Sequence, residues 1–343
     1  MNKKTAILLD RRYHNHQISR QSLENADRIR GLYLTLEEER YANSLQFIKP
    51  REASLSDITA VHSEMYLDQI RQHAASGDPY AYDKDTYLME ETFYTAQLAA
   101  GGCLELADLI MAGEADYGFG LIRPPGHHAE AGRGMGFCVL NNIAVTAEYL
   151  RKVYGLQRIL IFDFDVHHCN GTQSVFYENS QVLVMSIHEE RIFPFTGSRN
   201  EIGKEEGCGY TINLPVHAQF ADEEYTYLTG KVLSSVVEQY LPQIILVSAG
   251  YDAHKEETIS KTLLSTSWFA SITSLLKILA KDACDNRLLF VLEGGYNPTS
   301  LQQAVLATID ELINPRMLRP GIMYSERAQR ILWNHPLHTH WTL

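Results

Sequence analysis

Apolar positions fall along this chain in two alternating patterns. Short continuous runs at 159–162 (ILIF), 244–247 (IILV) and 288–292 (LLFVL) have the β-branched and aromatic content of strands buried on both faces. Further strands are predicted at 5–9, 117–122, 182–187 and 210–214. Between them, apolar residues recur every three or four positions over 24–36, 90–113, 141–154, 222–240, 265–281 and 297–312, which predicts helices. Shorter helices are expected within 53–75 and over 172–178, and Asp222 suits a helix N-cap. Residues 77–85 (GDPYAYDKD) and 189–209 read as loops. Strands alternating with helices argue for an α/β fold, a parallel sheet with helices on both faces. There is no internal repeat, low-complexity segment or Pro/Gly/Ser linker, so a single domain over 1–343 is expected.

Four of the apolar runs end in reactive residues. The first leads into Arg123-Pro-Pro-Gly-His127-His128, and the second into Asp163, Asp165, His167 and His168. The third leads into Ser248-Ala-Gly-Tyr-Asp252, and the fourth into Glu293-Gly-Gly-Tyr296-Asn297. Each alone reads equally well as a turn or a helix cap. Open parallel sheets, however, bind ligands beyond the carboxyl ends of their strands, and four such clusters at one edge are hard to explain as independent turns.

Roles follow from physical need. Isolated buried charge costs several kcal/mol or more, and a divalent metal offsets it. Asp165, His167 and Asp252 supply the three ligands of an open catalytic zinc site. The paired His127 and His128 suit general acid/base work. Asp163 is placed to orient His127, and Asn170 to orient His128 without adding charge. Tyr296, after two glycines, can donate its hydroxyl to a developing oxyanion. Metal, base, acid and oxyanion donor together describe amide hydrolysis.

Charge and cysteine content narrow the picture. The net charge of −12 argues against a nucleic-acid binder and is compatible with a cationic substrate. Five dispersed cysteines without a CxxC pair read as reduced thiols. The start of the chain lacks a signal-peptide h-region and no run is long enough to span a membrane, so a cytoplasmic location is expected.

The motifs RPPGHHA, GFCVLNN, DFDVHHCNGTQ, SAGYDAH and LEGGYN resemble those of the zinc-dependent histone deacetylase and acetylpolyamine amidohydrolase superfamily. The resemblance runs in order from 10 to 312 and implies an arginase/deacetylase-like three-layer fold with a mainly parallel sheet of about eight strands. It implies one zinc per chain on Asp165, His167 and Asp252, and matches His127, His128 and Tyr296 to the catalytic positions. Phe137, with its neighbour Gly136, and Phe193 match the walls of an acyl-lysine channel. Asp85 matches an acid that grips the substrate backbone, and Arg28 an arginine of an inner product channel. The resemblance also implies a potassium site drawn from Asp163, Asp165, His167 and Ser186.

Three positions depart from the common pattern. Cys169 stands where glycine is usual, which puts a thiol in the metal loop. Asn170 replaces Asp, as in class II and bacterial members, and Phe195 replaces a glycine at the channel mouth. The expected activity is removal of acetyl groups from N-ε-acetyl-lysine in proteins or peptides. The alternative is an acetylpolyamine amidohydrolase. Polyamine-selective relatives can carry a Glu seven residues past the second ligand aspartate, where this chain has Ile259, which leans toward lysine. A binuclear manganese hydrolase and an inactive acyl-lysine binder are less favoured. Oligomeric state, monomer or homodimer, is open.

Overall fold

The computed structural model describes residues 4–17, 22–76, 80–314 and 316–343. Among them, ten strands are assigned. They are β1 (Lys4–Leu8), β2 (Leu45–Ile48), β3 (Tyr80–Ala81), β4 (Tyr87–Leu88), β5 (Ala115–Gly120), β6 (Ile159–Asp163), β7 (Val182–Glu189), β8 (Thr211–Val216), β9 (Ile244–Ala249) and β10 (Leu288–Leu292). Eight of them form one sheet in the order β2-β1-β5-β10-β9-β6-β7-β8. The parallel α/β architecture expected from the alternation of elements is present. Contacts cluster into two compact units.

The first unit comprises Met1–Leu156, Cys169–Val175 and Leu289–Glu293. In it β1 pairs in parallel with β2 and with β5. The helix Thr92–Met111 packs tightly because its Ala and Gly residues add little bulk. A Cβ on Gly102 would lie 2.3 Å from Leu8 Cδ2. The helix Asn142–Tyr154 starts under the Asn141 side chain, which accepts the Ala144 N–H at 3.0 Å, and stops at Gly155 with φ 67°. A buried charge network lies in the same unit. The Glu24 carboxylate accepts from Arg123 Nε at 2.5 Å and Nη2 at 2.7 Å, and from Arg28 Nη1 at 3.0 Å. Arg123 also donates to the carbonyls of Tyr13 and His16, both at 2.9 Å. These bonds occupy four of the five N–H donors of a fully buried guanidinium and pair its charge with a carboxylate, which offsets the cost of burying it.

The second unit comprises Gln157–His168, Phe176–Leu288 and Gly294–Leu343. Here β6 lies between β7 and β9, and β8 extends the sheet beyond β7, all in parallel. Every residue of β6 and of β9 is buried, as expected for strands covered on both faces. Asp163 ends β6 with Ser186 and Ser248 as its register partners. The helices Asp222–Tyr240, Thr266–Cys284 and Pro298–Ile313 belong to this unit. The buried Lys277 donates to the carbonyls of Glu311 (2.6 Å) and Asn314 (2.7 Å), capping the C-terminus of Pro298–Ile313. No helix among the described residues is long and apolar enough to cross a membrane.

Three local expectations differ from the structure. β2, a four-residue strand, was not predicted, because LQFI is too short to show a period. Within the loop expected at 77–85, residues 77–79 lie outside the described residues, while β3 and β4 pair antiparallel across 80–88. Asp222 is the first helical residue after the N-cap Ala221, and its Oδ1 accepts the Ser265 N–H at 2.8 Å.

Burial pushes the Glu24 pKa up, but Arg123 and Arg28 override it and hold it at about 2, against an ordinary 4.5. The contribution of this ion network is therefore present above about pH 4.5 and is lost as the pH falls from there toward 2. Glu24→Ala leaves two arginines buried without their partner and is expected to cost about 3–5 kcal/mol, read from denaturant midpoints at neutral pH. A loss below about 1 kcal/mol would match a surface pair instead.

Candidate metal centre and catalytic residues

The sharpest chemistry in the second unit is at the carboxyl end of β6. Asp165, His167 and Asp252 each offer a ligand atom, and these atoms lie within 4.8 Å of one another. His167 Nδ1 is 3.1 Å from Asp165 Oδ1 and 3.0 Å from Asp252 Oδ2. Backbone amides fix both acids. Asp165 accepts the N–H groups of His167 at 2.9 Å and Gly294 at 2.8 Å, and Asp252 Oδ1 accepts the Val166 N–H at 2.9 Å. Asp252 Oδ2 is buried and has His167 Nδ1 at 3.0 Å, outside well-aligned hydrogen-bond geometry. A buried carboxylate oxygen turned toward a second acid and an imidazole fits a cation ligand, and two oxygens plus one nitrogen is the donor set of an open zinc site.

The electrostatics agree with that fit. Burial raises the Asp252 pKa, and the neighbouring Asp165 raises it further. Burial disfavours the charged imidazole of His167, but Asp252 and Asp165 outweigh it and lift its pKa to about 10. Two glycines make the room. A Cβ on Gly250 would stand 2.1 Å from Asp165 Oδ2, and one on Gly294 would stand 2.4 Å from Asp252 Oδ2.

The first unit holds the tandem histidines on the turn after β5. Both are buried, with ring centroids 4.0 Å apart. His128 Nδ1 is 2.8 Å from Asn170 Oδ1, while Asn170 Nδ2 donates to Glu130 Oε1 at 2.9 Å. A carboxylate can only accept, so the Asn170 NH₂ faces Glu130 and its Oδ1 faces His128. His128 therefore carries its proton on Nδ1 when neutral, leaving Nε2 as an acceptor. Glu293, at the end of β10, accepts the N–H groups of Gly126 (2.7 Å) and His127 (3.2 Å) through Oε2. His127, Cys138 and Glu293 also approach within 4.8 Å, a second group that could hold an ion. Its carboxylate already shapes the turn.

Residues 22–312 match the histone deacetylase domain. The chain belongs to the histone deacetylase family. A probable deacetylase of Archaeoglobus fulgidus is 36% identical over 295 residues, covering 85% of this chain and 81% of that protein. A polyamine deacetylase of Danio rerio is 35% identical over 85% of this chain and 44% of its own length. A crystal structure of the HDA15 HD domain superposes with a TM-score of 0.90 at 29% identity, covering 99% of this chain and 95% of that one. This histone deacetylase family member is thus a hydrolase by descent.

The remaining predicted residues of this deacetylase-family chain lie as follows. Phe193 is half-buried and meets the His167 ring edge-on, with centroids 6.3 Å apart. Tyr296 and Ile259 are half-buried in the second unit. Asp163 Oδ1 accepts the Asp165 N–H at 3.0 Å, and Ser186 Oγ lies 2.8 Å from His188 Nδ1. Phe195 is largely exposed and Cys169 is buried. In the first unit, Arg28 Nη2 donates to the Glu293 carbonyl at 2.5 Å. Gly136 and Phe137 both adopt positive φ, at 55° and 68°. Asp85 is half-buried, and burial raises its pKa.

Sequence reasoning missed the residues that hold these positions. Asp83 Oδ2 accepts the Gly136 N–H at 3.1 Å, while its Oδ1 accepts the Asp85 and Thr86 N–H groups at 2.8 and 2.6 Å. Thr86 Oγ1 accepts the Phe137 N–H at 2.9 Å. The one available signal was the Asp-x-Asp-Thr turn chemistry between β3 and β4.

Gly250→Ala is expected to leave the chain unable to retain a divalent ion at Asp165, because the added methyl occupies the space of that carboxylate. Elemental analysis after dialysis checks this. A full equivalent of metal in the variant would show that Asp165 is not a ligand.

Proposed function

We propose that this chain is a zinc-dependent deacetylase that removes acetyl groups from N-ε-acetyl-lysine in proteins or peptides. The observation that carries the reading is the convergence of Asp165, His167 and Asp252 ligand atoms within 4.8 Å in a chain of the histone deacetylase family. When bound there, zinc supplies Lewis-acid polarisation of the acyl group and acidification of a water.

The chain's own residues do the rest. His128, fixed by Asn170 as its Nδ1–H tautomer, offers Nε2 for proton abstraction. His127 supplies the second imidazole, so that one ring takes a proton and the other delivers one to the leaving amine. Tyr296 donates its hydroxyl to the oxyanion. Phe137 and Phe193 form apolar walls for a lysine stem, and Asp85 grips the peptide backbone. Arg28 serves the inner channel for released product. A potassium ion is proposed at Asp163, Asp165, His167 and Ser186, supported by the register pairing of Asp163 with Ser186. The compartment proposed is the cytoplasm, supported by five free cysteines.

The second reading is an acetylpolyamine amidohydrolase. The net charge of −12, which suits a cationic substrate, favours it. Ile259, apolar and seven residues past Asp252, favours lysine instead. With zinc-loaded protein, kcat/KM for acetyl-lysine peptides is expected to exceed that for acetylputrescine. A large preference for the diamine would replace the first reading with the second. Two manganese ions per chain on elemental analysis would point to a binuclear hydrolase.

Tyr296→Phe is expected to keep zinc and leave KM near normal while lowering kcat about 10²–10³-fold. A rate close to wild type would remove Tyr296 from its assigned role.

A further inference from the structure

Tyr296 lies on a turn that no strand holds. β10 ends at Leu292, and the next helix, Pro298–Ile313, has Asn297 as its N-cap. The backbone at Gly295 takes φ 116°, a conformation open to glycine and strained for other residues. Something must hold this turn if the Tyr296 hydroxyl is to stay within about 0.5 Å of one position.

Glu257 meets that need. Its side chain is buried, and its Oε1 accepts two consecutive backbone N–H groups, Tyr296 at 2.8 Å and Asn297 at 2.9 Å. The preceding residue adds a third tie, because Asn297 Nδ2 donates to the Glu256 carbonyl at 3.1 Å. Asn297 Oδ1 meanwhile accepts from Thr299 and Ser300, so it is committed to the helix start. Glu257 is anchored in turn. Its N–H donates to the His254 carbonyl at 2.9 Å, and Ser260 Oγ donates to the Asp252 carbonyl at 2.6 Å. The segment 252–260 thus begins at a metal-ligand candidate and ends its reach on the tyrosine turn.

We propose that Glu257 is a positioning residue for Tyr296, fixing the tyrosine turn to the loop that carries Asp252. It rests on the reading of Tyr296 as oxyanion donor. A charged acceptor for two adjacent amides is stronger than a neutral one and cannot be replaced in place by a mobile water at equal precision.

The test is a double-mutant cycle on the zinc-loaded protein. Glu257→Ala is expected to lower kcat about 10–100-fold with KM and zinc content near wild type. In the Tyr296→Phe background the same change is expected to cost less than about twofold, because its target hydroxyl is already gone. Glu257→Gln keeps an acceptor oxygen and is expected to restore most of the rate, which also covers the case in which Glu257→Ala fails to fold. An equal loss in both backgrounds, or loss of zinc, would overturn the positioning role. A slow Tyr296→Phe beside a normal Glu257→Ala would sink the brace alone. A normal Tyr296→Phe would sink the tyrosine assignment and the brace with it.

Discussion

The constraint on which the second unit depends is the burial of Asp165 beside Asp252. Two carboxylates removed from water repel each other and lose their hydration, a combination that costs several kcal/mol per ion unless opposed. The protein opposes it in two ways. Amides of Val166, His167 and Gly294 donate to the carboxylates and hold them in place. Glycine at 250 and 294 lets the backbone pass where a side chain would collide. His167 adds one positive charge when protonated, which cannot neutralise two acids. The residual negative charge suits a cation at this group of ligand atoms.

Much of this was readable from sequence because the information is local. Asp163, Asp165 and His167 fall within five residues at the end of an apolar run, so their closeness in sequence alone puts them near one another. Asp252 and Tyr296 follow runs of the same kind. What stayed hidden was the support, because each supporting bond joins residues far apart in the chain. Glu293 reaches back to Gly126 and His127, and Asp83 reaches forward to Gly136. Glu257 and Tyr296 are 39 residues apart. No periodicity announces such a partner. β2 escaped for a different reason, since four residues beside a parallel neighbour need no alternation of their own.

In the first unit the supports form a continuous chain. Glu24 binds Arg28, Arg28 donates to the Glu293 carbonyl, and the Glu293 carboxylate receives the amides of the tandem-histidine turn. Each link is a buried charge-assisted bond, stronger and more directional than neutral bonds. The histidine turn is therefore held through its backbone amides. Asn170 acts on the His128 ring itself and sets its tautomer.

The two units treat buried charge in opposite ways, and the difference bears on which candidate group suits a cation. In the first, the acids Glu24 and Glu293 are buried with the cations Arg28 and Arg123, so acid and base are matched in number. That set needs no ion, although His127, Cys138 and Glu293 come close enough to suggest one. In the second, Asp163, Asp165 and Asp252 are buried, and His167 lies 3.1 Å from Asp165 and 3.0 Å from Asp252. Matching fails there by two positive charges even with His167 protonated, and a ligand histidine must be neutral to donate its lone pair, which widens the deficit to three. Among the described residues, Asp165, His167 and Asp252 therefore form the group in the second unit whose charge suits a cation.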